Sequence, residues 1–191
     1  MELPVYSIAI CPPPEVVQYI KMIKEELYAQ IGRYASCHAE AHISLTQFRA
    51  DERAARRYTG ILESICEGVL SFEFRLHGLS VFSQGTVYVT PDPASREHFL
   101  ALCEQIRQGS GRFRNHSFST VPHLTIARQL DERQVDTAFR LLQPRTIETR
   151  FCCTGIALRT FDAPKGQYTI VHRIPFGNHQ KALMPKQAAL W

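Results

Sequence analysis

The chain has 191 residues, enough for one domain of ordinary size or two small lobes sharing an interface. Its 45% hydrophobic and 21% charged content excludes a disordered chain, and no apolar run approaches the roughly 18 to 20 residues of a membrane-spanning helix. A formal net charge of +4 admits an anionic ligand but falls far short of the dense basic stripe of a protein that coats duplex nucleic acid.

Met1 to Ile10 carries an acid and a proline early and lacks the basic start of a signal peptide, so a cytoplasmic address is expected. Residues 4–11 read as a first strand, closed by Pro12-Pro13-Pro14, which suit a helix entrance because a missing N–H costs nothing there. Over 15–31 the residues Val16, Val17, Ile20, Ile23, Leu27 and Ile31 recur at helical spacing, with Lys21, Lys24, Glu25 and Glu26 on the opposite face and Gly32 as C-cap. A strand over 42–48 follows. A second helix over 51–68 turns Ala54, Ala55, Tyr58, Ile61, Leu62 and Ile65 inward and leaves Arg53, Arg56 and Arg57 as a solvated face. Residues 71–83 and 86–90 pair as strands around Gln84-Gly85. Pro91-Asp92-Pro93 opens a third helix over 94–108, lined by Phe99, Leu102, Cys103 and Ile106. Residues 109–116 form a loop without the glycine spacing of a phosphate cradle. A strand over 123–128 precedes a fourth helix over 131–142, with Asp131 at its N-terminus. Residues 146–161 and 167–174 make a long hairpin, and 176–191 form a C-terminal tail without sustained period.

Strands joined by hairpins and alternating with helices favour mixed or antiparallel sheets over a doubly wound parallel one. The element order suggests two lobes of related construction, one from each half of the chain. The six cysteines show no CxxC pair and no metal-ligand spacing, so buried, reduced thiols are expected.

The sharpest signal is a repeated pattern. Ala41-His42-Ile43-Ser44-Leu45-Thr46 and Pro122-His123-Leu124-Thr125-Ile126-Ala127-Arg128 each place a hydroxyl residue two positions after a histidine. Side chains alternate across a strand, so His42 stands beside Ser44 and His123 beside Thr125, while Ile43, Leu45, Leu124 and Ile126 face a core. Two such strands facing one another offer two proton carriers and two hydroxyl donors. Transfer at a phosphodiester needs a base, an acid and donors for the phosphoryl oxygens. Histidine, with an ordinary pKa of about 6.5, serves either proton role. Ser44 and Thr125 would hold the non-bridging oxygens, and Arg128 would add charge if its strand ends or bulges there. No HxH or HExxH spacing calls for a metal. Phe82, Tyr88, Phe113 and Tyr168 are candidates for stacking on bases. His38, His77, His98, His116, His172 and His179 sit in other settings and read as surface or structural.

His42-Ile-Ser44-Leu and His123-Leu-Thr125-Ile resemble the paired H-x-[ST]-x motifs of the 2H phosphoesterase superfamily, in its 2′-5′ RNA ligase-like and cyclic phosphodiesterase branch. Arg128 stands where that branch often carries an arginine, whereas the glycine that often follows the phenylalanine of the first motif is replaced here by Arg49. The resemblance implies an α+β bilobal fold, with mixed or antiparallel sheets and outer helices around a central cleft, in a single domain over 1–175 whose lobes each supply one histidine strand. It further implies a monomeric, cofactor-free hydrolase acting on 2′,3′-cyclic phosphates or 2′-5′ linkages of RNA ends or nucleotides, catalysed by His42 and His123. The same site run backwards would join 2′-5′ ends. The alternative is a non-catalytic RNA- or nucleotide-binding protein using the same cleft.

Overall fold

The structure is a computed structural model that describes residues 3–110 and 116–177. Within them the chain folds as β1 (Val5–Ile10), α1 (Pro14–Ile31), β2 (Ile43–Arg49), α2 (Glu52–Glu67), β3 (Phe72–Phe82), β4 (Thr86–Pro91), α3 (Pro93–Gly109), β5 (Ser117–Phe118), β6 (Leu124–Ala127), α4 (Glu132–Leu142), β7 (Glu148–Cys153), β8 (Gly155–Asp162) and β9 (Gln167–Pro175). The strands form two antiparallel sheets, in the orders β5-β2-β1-β8-β9 and β6-β4-β3-β7. This is the two-lobed α+β architecture with outer helices expected from the sequence.

Local chemistry explains where the helices start and stop. Pro14 opens α1, and Gly32, at φ 74°, closes it by donating its N–H to the Tyr28 carbonyl at 2.9 Å. Asp51 and Asp92 cap α2 and α3 by accepting from Ala54 and Ser95 backbone N–H groups. Asp131 and Gln134 form a reciprocal capping box on α4. The inner stripes bury Ile20, Leu27, Leu62, Phe99, Ile106 and Leu142 completely or nearly so. One residue of α1 departs from the sequence reading. Lys24 lies four residues after Ile20 and three before Leu27, within the buried stripe, and is itself buried.

Three differences from the sequence reading concern strands. The expected long strand over 146–161 breaks at Thr154, so that β7 pairs with β3 in one sheet and β8 with β1 and β9 in the other. Gly155 permits the crossing, because a Cβ there would stand 2.4 Å from the Ile174 carbonyl oxygen. The two-residue β5, between the loop and strand read from the sequence, adds an unforeseen edge to β2. The sheets also interleave rather than follow the chain halves: β8 and β9 join β1 and β2, and β3 joins β4, β6 and β7. The six cysteines are free thiols, but Cys152 is exposed and Cys11 and Cys37 are half-buried. The expected tail, together with Phe113 and His179, lies outside the described residues, apart from the tail's first residues, Phe176 and Gly177.

Candidate active site

His42 and His123 each sit one residue ahead of a strand rather than inside it, because β2 begins at Ile43 and β6 at Leu124. The strands then behave alike. Register along β2 passes from Ser44 opposite Ala9 to Thr46 opposite Ile8, leaving Leu45 as an extra residue. Register along β6 passes from Thr125 opposite Tyr88 to Ala127 opposite Val87, leaving Ile126 extra. Each motif therefore carries a β-bulge immediately after its hydroxyl residue, with the bulged aliphatic side chain fully buried. The core anchors the bulge, and the bulge sets the direction of the residues beside it.

The motifs meet at one cleft of about 1270 Å³, whose lining includes His42, Ser44, His123, Thr125 and Arg128. His42 belongs to the β1 sheet and His123 to the β4 sheet. Both rings are half-buried and bound in the same way: Nδ1–H of His42 donates to the Glu40 carbonyl and that of His123 to the Val121 carbonyl, each at 2.8 Å. A donor at Nδ1 leaves Nε2 as the lone-pair nitrogen of the neutral ring. Among the described residues neither Nε2 has a protein partner, nor do the Ser44 and Thr125 hydroxyls. Arg128 reaches the cleft because β6 has already ended; its N–H donates to Ala35 at 3.2 Å, and the chain turns through Gln129 at φ 58°.

Further cations face the cleft that sequence periodicity did not single out: Lys24, Arg159 and Arg173, against the one carboxylate Glu40 among its described lining. Lys24 Nζ donates to the Ser36 and Ala39 carbonyls at 3.2 and 2.7 Å, holding the loop that leads into His42, and burial lowers its pKa to about 8. Arg159 lies on β8, in a stretch that reads as an ordinary strand. Burial, reinforced by Arg159 and more weakly by Lys24 and Arg128, pushes His42 down to about 3 against the pull of its Glu40 hydrogen bond. His42 is therefore neutral at physiological pH. His123 instead has Phe82 and Tyr88 rings edge-on at 5.1 and 5.3 Å. Those two aromatics support His123 and do not line the cleft, whereas Tyr168 does. None of the other described histidines lines it: His172 pairs with Glu63, His98 stacks on Phe72 and His116 on Phe48. Arg53, Arg56 and Arg57 are exposed and away from the cleft, Arg56 pairing with Glu52. No cluster of three or more potential metal ligands occurs among the described residues. No described helix is long and apolar enough to cross a membrane.

Two antiparallel sheets under outer helices, each bringing one histidine–hydroxyl motif to a common cleft, define the 2H phosphoesterase type of α+β protein. The profile of the 2′-5′ RNA ligase superfamily matches residues 12–165, and the chain belongs to that superfamily of phosphoesterase- and ligase-type enzymes. Among solved structures, TT0787 of Thermus thermophilus is similar with a TM-score of 0.67 at 19% identity, covering 91% of this chain and 98% of its own. Escherichia coli LigT, solved in complex with 3′-AMP, is similar with a TM-score of 0.63 at 15% identity, covering 92% and 99%. At such identities the likeness is one of fold. No curated protein matches the sequence.

Proposed function

We propose that this enzyme is a metal-independent phosphodiesterase that opens 2′,3′-cyclic phosphates on RNA ends or nucleotides. The observation that carries the reading is the matched pair of imidazoles in one cleft, each tied down at Nδ1 and open at Nε2. One of the two imidazoles is the base: its Nε2 takes the proton of a water as that oxygen attacks phosphorus. The ring P–O bond on the far side breaks, and the other imidazole gives a proton from Nε2 to the departing ribose oxygen. The product is a phosphomonoester beside a free hydroxyl, and solvent resets the two rings. Ser44 and Thr125, whose hydroxyls have no protein partner among the described residues, donate to the non-bridging oxygens, and Arg128 offsets charge at the mouth. With a 5′-hydroxyl in place of water, the same ring opening, in which the P–O3′ bond breaks and the 3′ oxygen takes the proton, leaves a 2′-5′ bond. Because the two imidazoles perform both proton transfers, the reaction has no step that needs a metal.

The test is a turnover screen over 2′,3′-cyclic mononucleotides, cyclic-phosphate-ended RNA and 2′-5′ oligonucleotides, with His42→Ala, His123→Ala and the double variant. Either single substitution is expected to lower kcat by about 10²- to 10⁴-fold, with EDTA without effect. Binding without turnover, insensitive to both substitutions, would make the cleft a nucleotide-binding site only. Loss of activity on chelation, restored by added metal, would overturn the two-imidazole mechanism.

A further inference from the structure

Arg159 is only 4% exposed, yet no carboxylate pairs with it among the described residues. Its Nη2 donates to the buried Ser7 hydroxyl at 3.0 Å, its guanidinium lies 5.1 Å over the Tyr168 ring, and its Nε is buried without a partner. A desolvated guanidinium with an idle donor is costly unless an anion completes it. The surroundings lack one: Glu40, the carboxylate of the described lining, makes no ion pair with Arg159 and is outnumbered there by Lys24, Arg128, Arg159 and Arg173.

The strand register locates this donor relative to the reacting phosphate. Ser44 stands opposite Ala9, Ala9 opposite Ala157, and Ser7 opposite Arg159. The Ser7 anchor is thus two residues along β1 from the row of Ser44, on the same side of the sheet, a separation of about 7 Å. Arg159 therefore sits one step along the sheet from the motif row, and that step is comparable to the spacing of successive phosphates on a nucleotide chain. The cleft's volume of about 1270 Å³ also exceeds the roughly 300–1,000 Å³ of a site for a single small ligand.

We propose that Arg159 forms a second anion subsite, which takes the phosphodiester adjoining the cyclic phosphate, so that the substrate is an oligonucleotide end rather than a cyclic mononucleotide. This deepens the reading above and rests on it for which phosphate lies between the histidines. Ser7 and Tyr168 fix the guanidinium at the wall of the cleft, where it meets the incoming oxygens.

The test is calorimetric binding of adenosine 3′-monophosphate and adenosine 3′,5′-bisphosphate at fixed salt, with thermal melting of each variant as the folding control. The wild type is expected to bind the bisphosphate about tenfold or more tightly, with a steeper salt dependence. Arg159→Gln should collapse that preference to about twofold or less, and Arg159→Lys and Ser7→Ala should give intermediate ratios; these two carry the test if the glutamine variant does not fold. Equal affinity of the wild type for both probes, or a preference that survives in the variants, overturns the subsite. Turnover of cyclic phosphates without the bisphosphate preference removes the subsite alone. An Arg159-dependent preference without turnover removes the catalytic reading and leaves the subsite standing.

Discussion

His42 and His123 make the same hydrogen bond at the same distance, and their motifs are near copies, so sequence alone gives no ground for telling them apart. What separates them comes from residues remote in sequence. Arg159 approaches His42 from β8 and Lys24 from α1, while Phe82 and Tyr88 flank His123. The difference has a consequence for stability. An unfolded histidine titrates at about 6.5, and folded His42 at about 3. Between those values the unfolded chain binds a proton that the folded ring refuses, so stability is fully present above pH 6.5 and drains as pH falls toward 3. His42→Gln removes that proton uptake. Its melting temperature should therefore fall less steeply than the wild type's between pH 6.5 and 4.5, followed by circular dichroism. Parallel curves for the two proteins would mean that the folded ring still accepts the proton. Lys24 and Arg159 escaped the sequence reading for a common reason: an amphipathic pattern assigns charged residues to solvent, and both are buried because cleft-facing polar groups occupy them.

Helices were legible because their signals are local. An aspartate or proline at the start and an apolar stripe, with a glycine cap at the end of α1 and α2, all lie within one segment, and α1 to α4 form where those signals fall. Strand boundaries depended on partners. Residues 146–161 read as one strand, because a run of strand-forming residues does not say which sheet each part of it joins. The bulges at Leu45 and Ile126 were equally hidden, since only the neighbouring strands reveal an unpaired residue. The turn at Gly85 combined both kinds of information. Its φ of 70° suits glycine, as a two-strand reading requires, and its carbonyl accepts from Leu130 N–H at 3.0 Å, two residues past Arg128. A Cβ at this position would lie 2.0 Å from the Leu130 carbonyl oxygen. Gly85→Ala is expected to cost well over about 2 kcal/mol, because a backbone clash adds to the left-handed strain. Gly166→Ala, at φ 63° with nothing within 4 Å of the added Cβ, should cost only the strain, about 1–2 kcal/mol. Urea denaturation of the pair separates the terms, and equal losses would show that contact with Leu130 is relieved at no cost.

At the scale of the whole molecule, element order alone suggested one lobe per chain half, and that suggestion failed where sheet membership was decided. Consecutive elements were assumed to stay together, yet the chain changes sheet at the β2–β3, β4–β5, β5–β6 and β7–β8 connections. The sheet that carries Ser44 is therefore completed by β8 and β9 near the C-terminal end of the described residues, including Arg159. Neither sheet can assemble from a contiguous half of the sequence, so closing either one requires the other's connections to be in place. Crossing segments such as Thr154–Gly155 tie the sheet that carries His42 to the one that carries His123. It follows that the domain should unfold as one unit, with far-UV circular dichroism, reporting both sheets, and near-UV tyrosine signal giving coincident urea transitions. Gly85→Ala, which strikes the β4 sheet, should shift both curves together, the sheet that carries His42 melting with it. A biphasic curve, with only one step displaced by that substitution, would instead establish two independently stable lobes whose cleft opens and closes between them.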